Sequence, residues 1–174
     1  MREALTMHNL SHKEFIHELI QRDQFVNYVL EQKGERATKP PVDADGYKIN
    51  AQDSANWRSF EEVTAVNDQI GFVLTDDDPF LFIDLDHVIN NEGELSDWAD
   101  ELITELPDTY IEISPSGDGL HMLYKLNDIP DLKTNKRKFD DGTVLEVYFN
   151  KRYFTITGNV YTPTAIATIN SGAL

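Results

Sequence analysis

Two carboxylates lie two residues apart in the segment Phe82-Ile83-Asp84-Leu85-Asp86-His87. Apolar residues flank this segment, with Phe80-Leu81 before it and Val88-Ile89 after it, so the surroundings favour burial. On a β-strand, residues i and i+2 project from the same face, which would set Asp84 beside Asp86. Adjacent carboxylates repel each other unless a proton or a cation lies between them. An Asp-x-Asp also occurs in ordinary surface turns, but the apolar setting here favours a site for a hard cation, Mg²⁺ or Mn²⁺.

The composition sets the broad class of protein. The 174 residues are enough for one domain with its own core. They include no cysteine, which excludes a disulfide framework and a thiolate metal site. No apolar run approaches the length of a membrane span, and the N-terminus lacks the apolar region of a signal peptide. We therefore expect a cytoplasmic protein without a membrane partner.

The charges are unevenly distributed along the chain. The formal net charge is −16, which taken alone argues against a nucleic-acid partner. Between Ser59 and Tyr124 there is no Lys or Arg, whereas seventeen Asp and Glu fall in that window. Basic residues gather on both sides of it: Lys33, Arg36, Lys39, Lys48, Arg58, Lys125, Lys133, Lys136, Arg137, Lys138, Lys151 and Arg152. An acidic centre between basic flanks suits a metal site with phosphates at its rim, and the simpler interpretation is a solvated acidic face.

Hydrophobic spacing predicts an α+β architecture, with helices first and mainly strands after Pro107. The predicted helices are 11–32, 56–66 and 96–106, the last with Ser96 as its N-cap. The predicted strands are 70–74, 80–86, 110–113, 120–126, 144–149 and 152–157. Residues 34–42 look irregular, and the tail 162–174 shows little periodicity. Short turns favour hairpins between the third and fourth strands and between the last two.

Three later stretches could complete the acidic site. His121 follows the Gly-rich loop Ser114 to Gly119, whose backbone N–H groups could approach a phosphate, although a plain hairpin loop is the simpler interpretation. Glu146 lies inside the apolar strand Val144 to Phe149 and is therefore, like Asp84, a carboxylate in an otherwise apolar segment. Arg152 opens the next strand and could lie near Glu146 across the turn. Each residue alone is more often structural or solvent-exposed.

Taken in this order, the motifs resemble the primase-polymerase catalytic domain of the archaeo-eukaryotic primase superfamily, in its phage and plasmid form. The resemblance covers about residues 33 to 159. It includes Lys39-Pro40-Pro41, Trp57-Arg58-Ser59-Phe60, Ile70-Gly71-Phe72-Val73-Leu74, Ile83-Asp84-Leu85-Asp86, Ser114 to His121, Leu145-Glu146-Val147-Tyr148, and Arg152 to Asn159. The implied fold is an N-terminal α/β unit packed on an RRM-like unit, with the active site in the cleft between them.

The resemblance also implies roles for individual residues. It makes Asp84, Asp86 and Glu146 the ligands of Mg²⁺ or Mn²⁺, and His121 in Gly119-Leu120-His121 a contact for the phosphates of the incoming nucleotide. By analogy, Ser116, Gly119, Arg152 and Lys39 help to hold the triphosphate. The chemistry implied is nucleotidyl transfer, in which a 3′-hydroxyl attacks the α-phosphate while divalent cations stabilise the attacking and leaving oxygens.

From these observations we expect a DNA primase-polymerase domain from a phage or mobile element, working in the cytoplasm of a bacterial host cell. Its expected partners are an NTP or dNTP, a single-stranded DNA template with a primer, and a helicase or helical priming module. The expected divisions are a helical segment at 1–32, the catalytic core at 33–160, and a tail or linker at 161–174. Two alternatives stay open: a catalytically silent nucleic-acid-binding replication module, and an acidic interaction protein that mimics DNA.

Overall fold

The computed structural model describes residues 12–34, 36–132 and 135–173. Its helices are α1 (His17–Ile20), α2 (Phe60–Val66) and α3 (Asp97–Glu105), with short 3₁₀ turns at Ser54–Asn56 and Ser171–Ala173. The strands are β1 (Phe25–Tyr28), β2 (Glu31–Lys33), β3 (Arg36–Thr38), β4 (Pro41–Val42), β5 (Ile70–Leu74), β6 (Phe80–Asp86), β7 (Ile111–Ile113), β8 (Leu120–Leu126), β9 (Lys136–Lys138), β10 (Val144–Tyr148), β11 (Arg152–Ile156), β12 (Val160–Thr162) and β13 (Ala167–Ile169). The α+β class expected from the sequence is confirmed, with strand content dominating.

Two main sheets form the described part of the molecule. The smaller sheet has four strands in the order β11-β5-β1-β4. The larger sheet has the order β12-β7-β8-β6-β10-β9, and β13 joins it by pairing in parallel with the later part of β8. The other pairings in both sheets are antiparallel. Strands β2 and β3 form a separate hairpin.

Strand β6 is covered on both faces, which explains its nearly continuous apolar sequence. Phe80 and Phe82 belong to a core cluster that reaches the smaller sheet, where Phe82 stacks on Phe154 with ring centroids 3.9 Å apart. Leu81 and Ile83 point to the opposite face and join the cluster around Ala99 of α3. Because successive strand residues alternate between faces, Asp84 and Asp86 continue the row of Phe80 and Phe82 toward the junction of the two sheets.

The strands at Ile70–Leu74, Phe80–Asp86 and Leu120–Leu126 have the bounds predicted from the sequence. Helix α3 also agrees with its prediction within one residue at each end. Ser96 occupies the N-cap position of α3, but its side chain makes no capping hydrogen bond. Helix α2 starts later than predicted, at Phe60, because Ser59 and Glu62 form a capping box there.

The single helix predicted over 11–32 is wrong in its second half. The chain is helical at 12–15 and in α1, and then turns into β1 and β2. All four residues of β1 are buried because this strand lies between β5 and β4 and is covered on both faces. Burial within the sheet therefore explains the apolar residues of β1, and helical periodicity does not. The segment 34–42, expected to be irregular, contains β3 and β4.

The hairpin predicted between the last two long strands is also wrong. Strand β10 pairs with β6 and β9 in the larger sheet, whereas β11 pairs with β5 in the smaller one. The chain crosses between the sheets through Lys151, whose φ of 44° lies in the left-handed region. The hairpin predicted between β7 and β8 is confirmed. In the tail, β13 adds to the larger sheet, while the division of the chain at residues 33 and 160 stays a prediction.

Candidate active site

A row of five polar residues crosses the larger sheet in register. Asp84 of β6 is directly opposite Glu146 of β10 on one side and His121 of β8 on the other. The row continues outward to Lys136 of β9 and Glu112 of β7. Directly opposed residues of neighbouring strands project from the same face, so the pairing places all five side chains in one line.

The three carboxylates predicted to bind metal converge at the centre of this row. Asp84, Asp86 and Glu146 each offer an oxygen, and these oxygens lie within 4.8 Å of one another. All three residues are partly buried. Among the described residues, no donor hydrogen-bonds to Asp84 Oδ1, although this atom is shielded from water. A cluster of oxygen donors with one unpartnered atom fits a hard divalent cation.

The environment of Asp84 disfavours its ionised form. Burial, reinforced by the charges of Asp86 and Glu146, raises the pKa of Asp84 to about 6, while His121 and Lys39 partly oppose this shift. A cation bound here would offset the excess negative charge and favour the ionised form of Asp84.

Glu146 has a different environment from Asp84. It accepts hydrogen bonds from Lys136 Nζ and from the Tyr148 hydroxyl. Burial would raise the pKa of Glu146, but these two donors and the charge of Arg152 outweigh it and hold the pKa below its ordinary value. Glu146 is therefore the carboxylate of the cluster whose charge the protein itself stabilises.

His121 lies between two acidic residues and is almost fully buried, with 3% of its surface exposed. Its Nδ1 is 3.0 Å from Glu112 Oε1, and its Nε2 is 3.7 Å from Asp84 Oδ1. The ring packs edge-on against Phe82, with centroids 4.9 Å apart. These contacts aim Nε2 toward the carboxylate cluster.

Sequence reasoning missed Glu112. The signal was present, because a lone carboxylate in the apolar strand Tyr110 to Ile113 is the same anomaly that drew attention to Asp84. An isolated strand carboxylate usually faces water, so the pairing with His121 was needed to reveal its position.

A cavity of about 400 Å³ opens above Asp84, Glu146 and His121. Its opposite wall comes from the smaller sheet, the connection that precedes β11 and the segment after β3, and carries Lys39, Lys151 and Arg152. The cavity therefore has carboxylates on one side and cations on the other, an arrangement suited to a metal-bound polyphosphate.

Aromatic side chains form part of the cavity lining. The Arg152 guanidinium lies over the Tyr148 ring, 4.6 Å from its centroid, and Arg152 Nη2 donates to the Tyr148 hydroxyl at 3.3 Å. The Tyr153 hydroxyl donates to the backbone oxygen of Lys39, which ties the segment after β3 to β11. Stacking on an aromatic ring restrains a guanidinium while leaving donors free for an anion.

The Gly-rich loop lies beside this cavity, and the structure gives its residues local roles. Ser116 shares a hydrogen bond with Ser114 and donates to Asp118, which in turn pairs with His87 at 2.6 Å. A Cβ on Gly119 would lie 2.6 Å from the backbone oxygen of Leu85, so only glycine lets β8 start so close to β6. Neither Ser116 nor Gly119 lines the cavity with Lys39 and Arg152, and their part in nucleotide binding stays a prediction.

Comparison with known proteins identifies the type of domain. No family model matches the chain. A curated protein of Nitratiruptor phage NrS-1, named DNA Primase-polymerase, is 46% identical over 136 residues, which cover 74% of this chain and 19% of that protein. The resemblance stated from the sequence is confirmed: the chain contains a domain of the phage primase-polymerase type. It spans about a fifth of the length of this relative. Among the described residues, no helix is both long and apolar enough to cross a membrane.

Proposed function

We propose that this chain is the catalytic domain of a DNA primase-polymerase, a metal-dependent nucleotidyltransferase of phage or mobile-element replication. The observation that carries the proposal is the in-register row in which Asp84 lies between Glu146 and His121, facing a cavity with cations on its far wall. The similarity of this chain to the phage DNA Primase-polymerase supports the same reaction class.

Asp84, Asp86 and Glu146 would hold Mg²⁺ or Mn²⁺. Their oxygens are close enough to share one cation, and Asp84 Oδ1, which accepts no hydrogen bond from the described residues, provides a ligand atom. When bound, such a cation stabilises negative charge on the attacking and leaving oxygens of an in-line phosphoryl displacement. The protein supplies the ligands and keeps them on rigid strands.

The cations of the opposite wall would hold the phosphates of an NTP or dNTP. Arg152 is pre-oriented by Tyr148, and Lys39 is restrained through its backbone by Tyr153. His121 Nε2 faces the same space from the carboxylate side. Charge-assisted hydrogen bonds from these groups would orient the triphosphate so that the α-phosphate faces the primer 3′-hydroxyl.

Single-stranded DNA template and primer are the proposed macromolecular partners. A net charge of −16 opposes tight binding of another polyanion, so we expect template contacts to be few and sensitive to salt. A helicase or a helical priming module, in the same or another chain, would supply additional affinity for the DNA template. We place this activity in the cytoplasm of the bacterial host.

The test is incubation of the protein with labelled nucleotides and single-stranded template, with and without an annealed primer, in Mg²⁺ or Mn²⁺. We expect weak primer extension and little or no de novo priming by the chain alone. Asp86→Asn serves as the matched variant, because it removes one charge from the cluster while keeping the side-chain size. Template binding without incorporation in any metal would favour the silent-module alternative. Absence of both nucleotide and DNA binding would favour the acidic interaction protein.

A further inference from the structure

Glu112 is a fully buried carboxylate that the proposed chemistry has not used. It is 0% exposed, and four donors surround it. Its Oε1 accepts from His121 Nδ1 at 3.0 Å and from the Thr157 backbone N–H at 2.9 Å. Its Oε2 accepts from the Tyr110 hydroxyl at 2.9 Å and from the Gly158 backbone N–H at 3.1 Å. These four hydrogen bonds offset the large free-energy cost of burying a charged carboxylate.

The contact with His121 determines which way the histidine ring faces. Because an ionised carboxylate can only accept, Nδ1 must carry a hydrogen in this arrangement, whether or not the ring is charged. Nε2 is then the atom presented to Asp84 and to the cavity. Where a carboxylate accepts a hydrogen bond from the ring nitrogen that faces away from the site, it generally sets both the orientation and the tautomer of a functional histidine.

The two backbone donors connect Glu112 to the other wall of the cavity. Thr157 and Gly158 directly follow β11, the strand of the smaller sheet that begins at Arg152. One carboxylate therefore holds the histidine of the larger sheet and the end of the strand that carries the cavity arginine.

We propose that Glu112 is a positioning residue that holds His121 with Nε2 directed at the nucleotide phosphates and ties this orientation to the placement of β11. The proposal deepens the nucleotidyltransferase function proposed above and rests on it for its catalytic consequence. The orientation itself is a property of the protein and can be measured without any reaction.

Glu112→Gln is the informative change because a carboxamide has one acceptor oxygen for four donors. In either orientation, its NH₂ group faces a backbone N–H, from Thr157 or from Gly158. Tyr110→Phe is the matched control. It removes a donor from the same carboxylate, but on Oε2, and leaves the His121 contact on Oε1 in place.

The direct readout is two-bond ¹H–¹⁵N NMR of the histidine rings in the metal-free protein, at a pH raised until the His121 signals are those of a neutral ring. We expect His121 in the wild type and in Tyr110→Phe to be the tautomer with hydrogen on Nδ1. In Glu112→Gln, we expect a mixture of tautomers. A wild-type ring with hydrogen on Nε2 alone would overturn the proposal even if the variant failed to fold.

The kinetic readout is primer extension at saturating and limiting nucleotide. Glu112→Gln should lower kcat by about 10- to 100-fold, as loss of such supporting partners commonly does, with a smaller change in KM. Tyr110→Phe should retain most of kcat. An unchanged kcat in Glu112→Gln, with the tautomer altered, would refute the catalytic part. If the wild type incorporates no nucleotide, the proposed function fails, while the NMR result still decides the orientation of His121.

Discussion

Replacing Asp84 with Asn should make the metal-free protein more stable while it removes metal binding. Asp84 is buried beside two other carboxylates, and among the described residues no donor hydrogen-bonds to its Oδ1. These surroundings raise its pKa from 3.8 to about 6. The side chain is therefore placed where its charged form is unfavourable until a cation binds.

The sign and size of the effect follow from this pKa. Between about pH 4 and pH 6 the folded protein retains a proton that the unfolded chain has already lost, so stability falls as the pH rises through that window. Above it, the ionised Asp84 lowers the free energy of unfolding by about 3 kcal/mol. The Asn amide must find partners of its own, so we expect a net gain of about 2 kcal/mol at neutral pH, or roughly 4–8 °C in Tm for a chain of this size.

Thermal and urea unfolding in chelator-treated buffer would measure this gain. The advantage of Asp84→Asn should shrink by about two thirds near pH 5, where wild-type Asp84 is largely protonated. Added Mn²⁺ should stabilise the wild type but not the variant. Asp78→Asn is the contrasting control, because Asp78 accepts hydrogen bonds from Arg22, Gln24 and Thr75, and its loss should destabilise the protein. A metal-free Asp84→Asn that melts below the wild type, or a gain independent of pH, would refute the reasoning.

Three further changes test the rest of the site. Glu146→Ala should abolish Mn²⁺ binding in calorimetric titration with nucleotide present, and undiminished binding would contradict the carboxylate cluster as the ligand set. His121→Ala should eliminate nucleotide incorporation and also lower the free energy of unfolding by about 1–3 kcal/mol, since the ring is buried and hydrogen-bonded; urea unfolding and primer extension would measure both. Arg152→Ala should raise the KM for nucleotide in steady-state extension more than it lowers kcat, because the guanidinium lines the cavity that would hold the nucleotide phosphates; a selective loss of kcat would argue against phosphate binding.

Local patterns predicted correctly the strand that carries Asp84 and Asp86. Strand alternation alone set Asp84 and Asp86 on one face, and their apolar neighbours correctly indicated a buried strand. The convergence of Glu146 with them depends on antiparallel pairing between segments about sixty residues apart, which periodicity cannot reveal. For that residue the family resemblance supplied what the pattern lacked, and the structure brings the carboxylates together.

Where predictions from the sequence were wrong, the cause was pairing or packing with distant parts of the chain. The β10 and β11 strands are separated by a short turn that favours a hairpin, yet each pairs with a strand of a different sheet. The helical spacing at 11–32 likewise gave way to burial of β1 between two neighbours. The resemblance assigned His121 only a contact with nucleotide phosphates, but its burial against Glu112 and Phe82 gives it a structural part as well.

The in-register row makes the site intolerant of insertions and deletions within its strands. Adding or removing one residue before Asp84 in β6, or before Glu146 in β10, would turn that carboxylate toward the apolar face packed on α3. The same change in a connecting loop would leave the row intact. Length variation among relatives should therefore concentrate in the turns, and a slipped strand pairing during folding would yield a compact protein unable to bind metal. The candidate site can assemble only after strands from distant parts of the chain have aligned, so we expect its formation to be a late and sensitive indicator of correct folding.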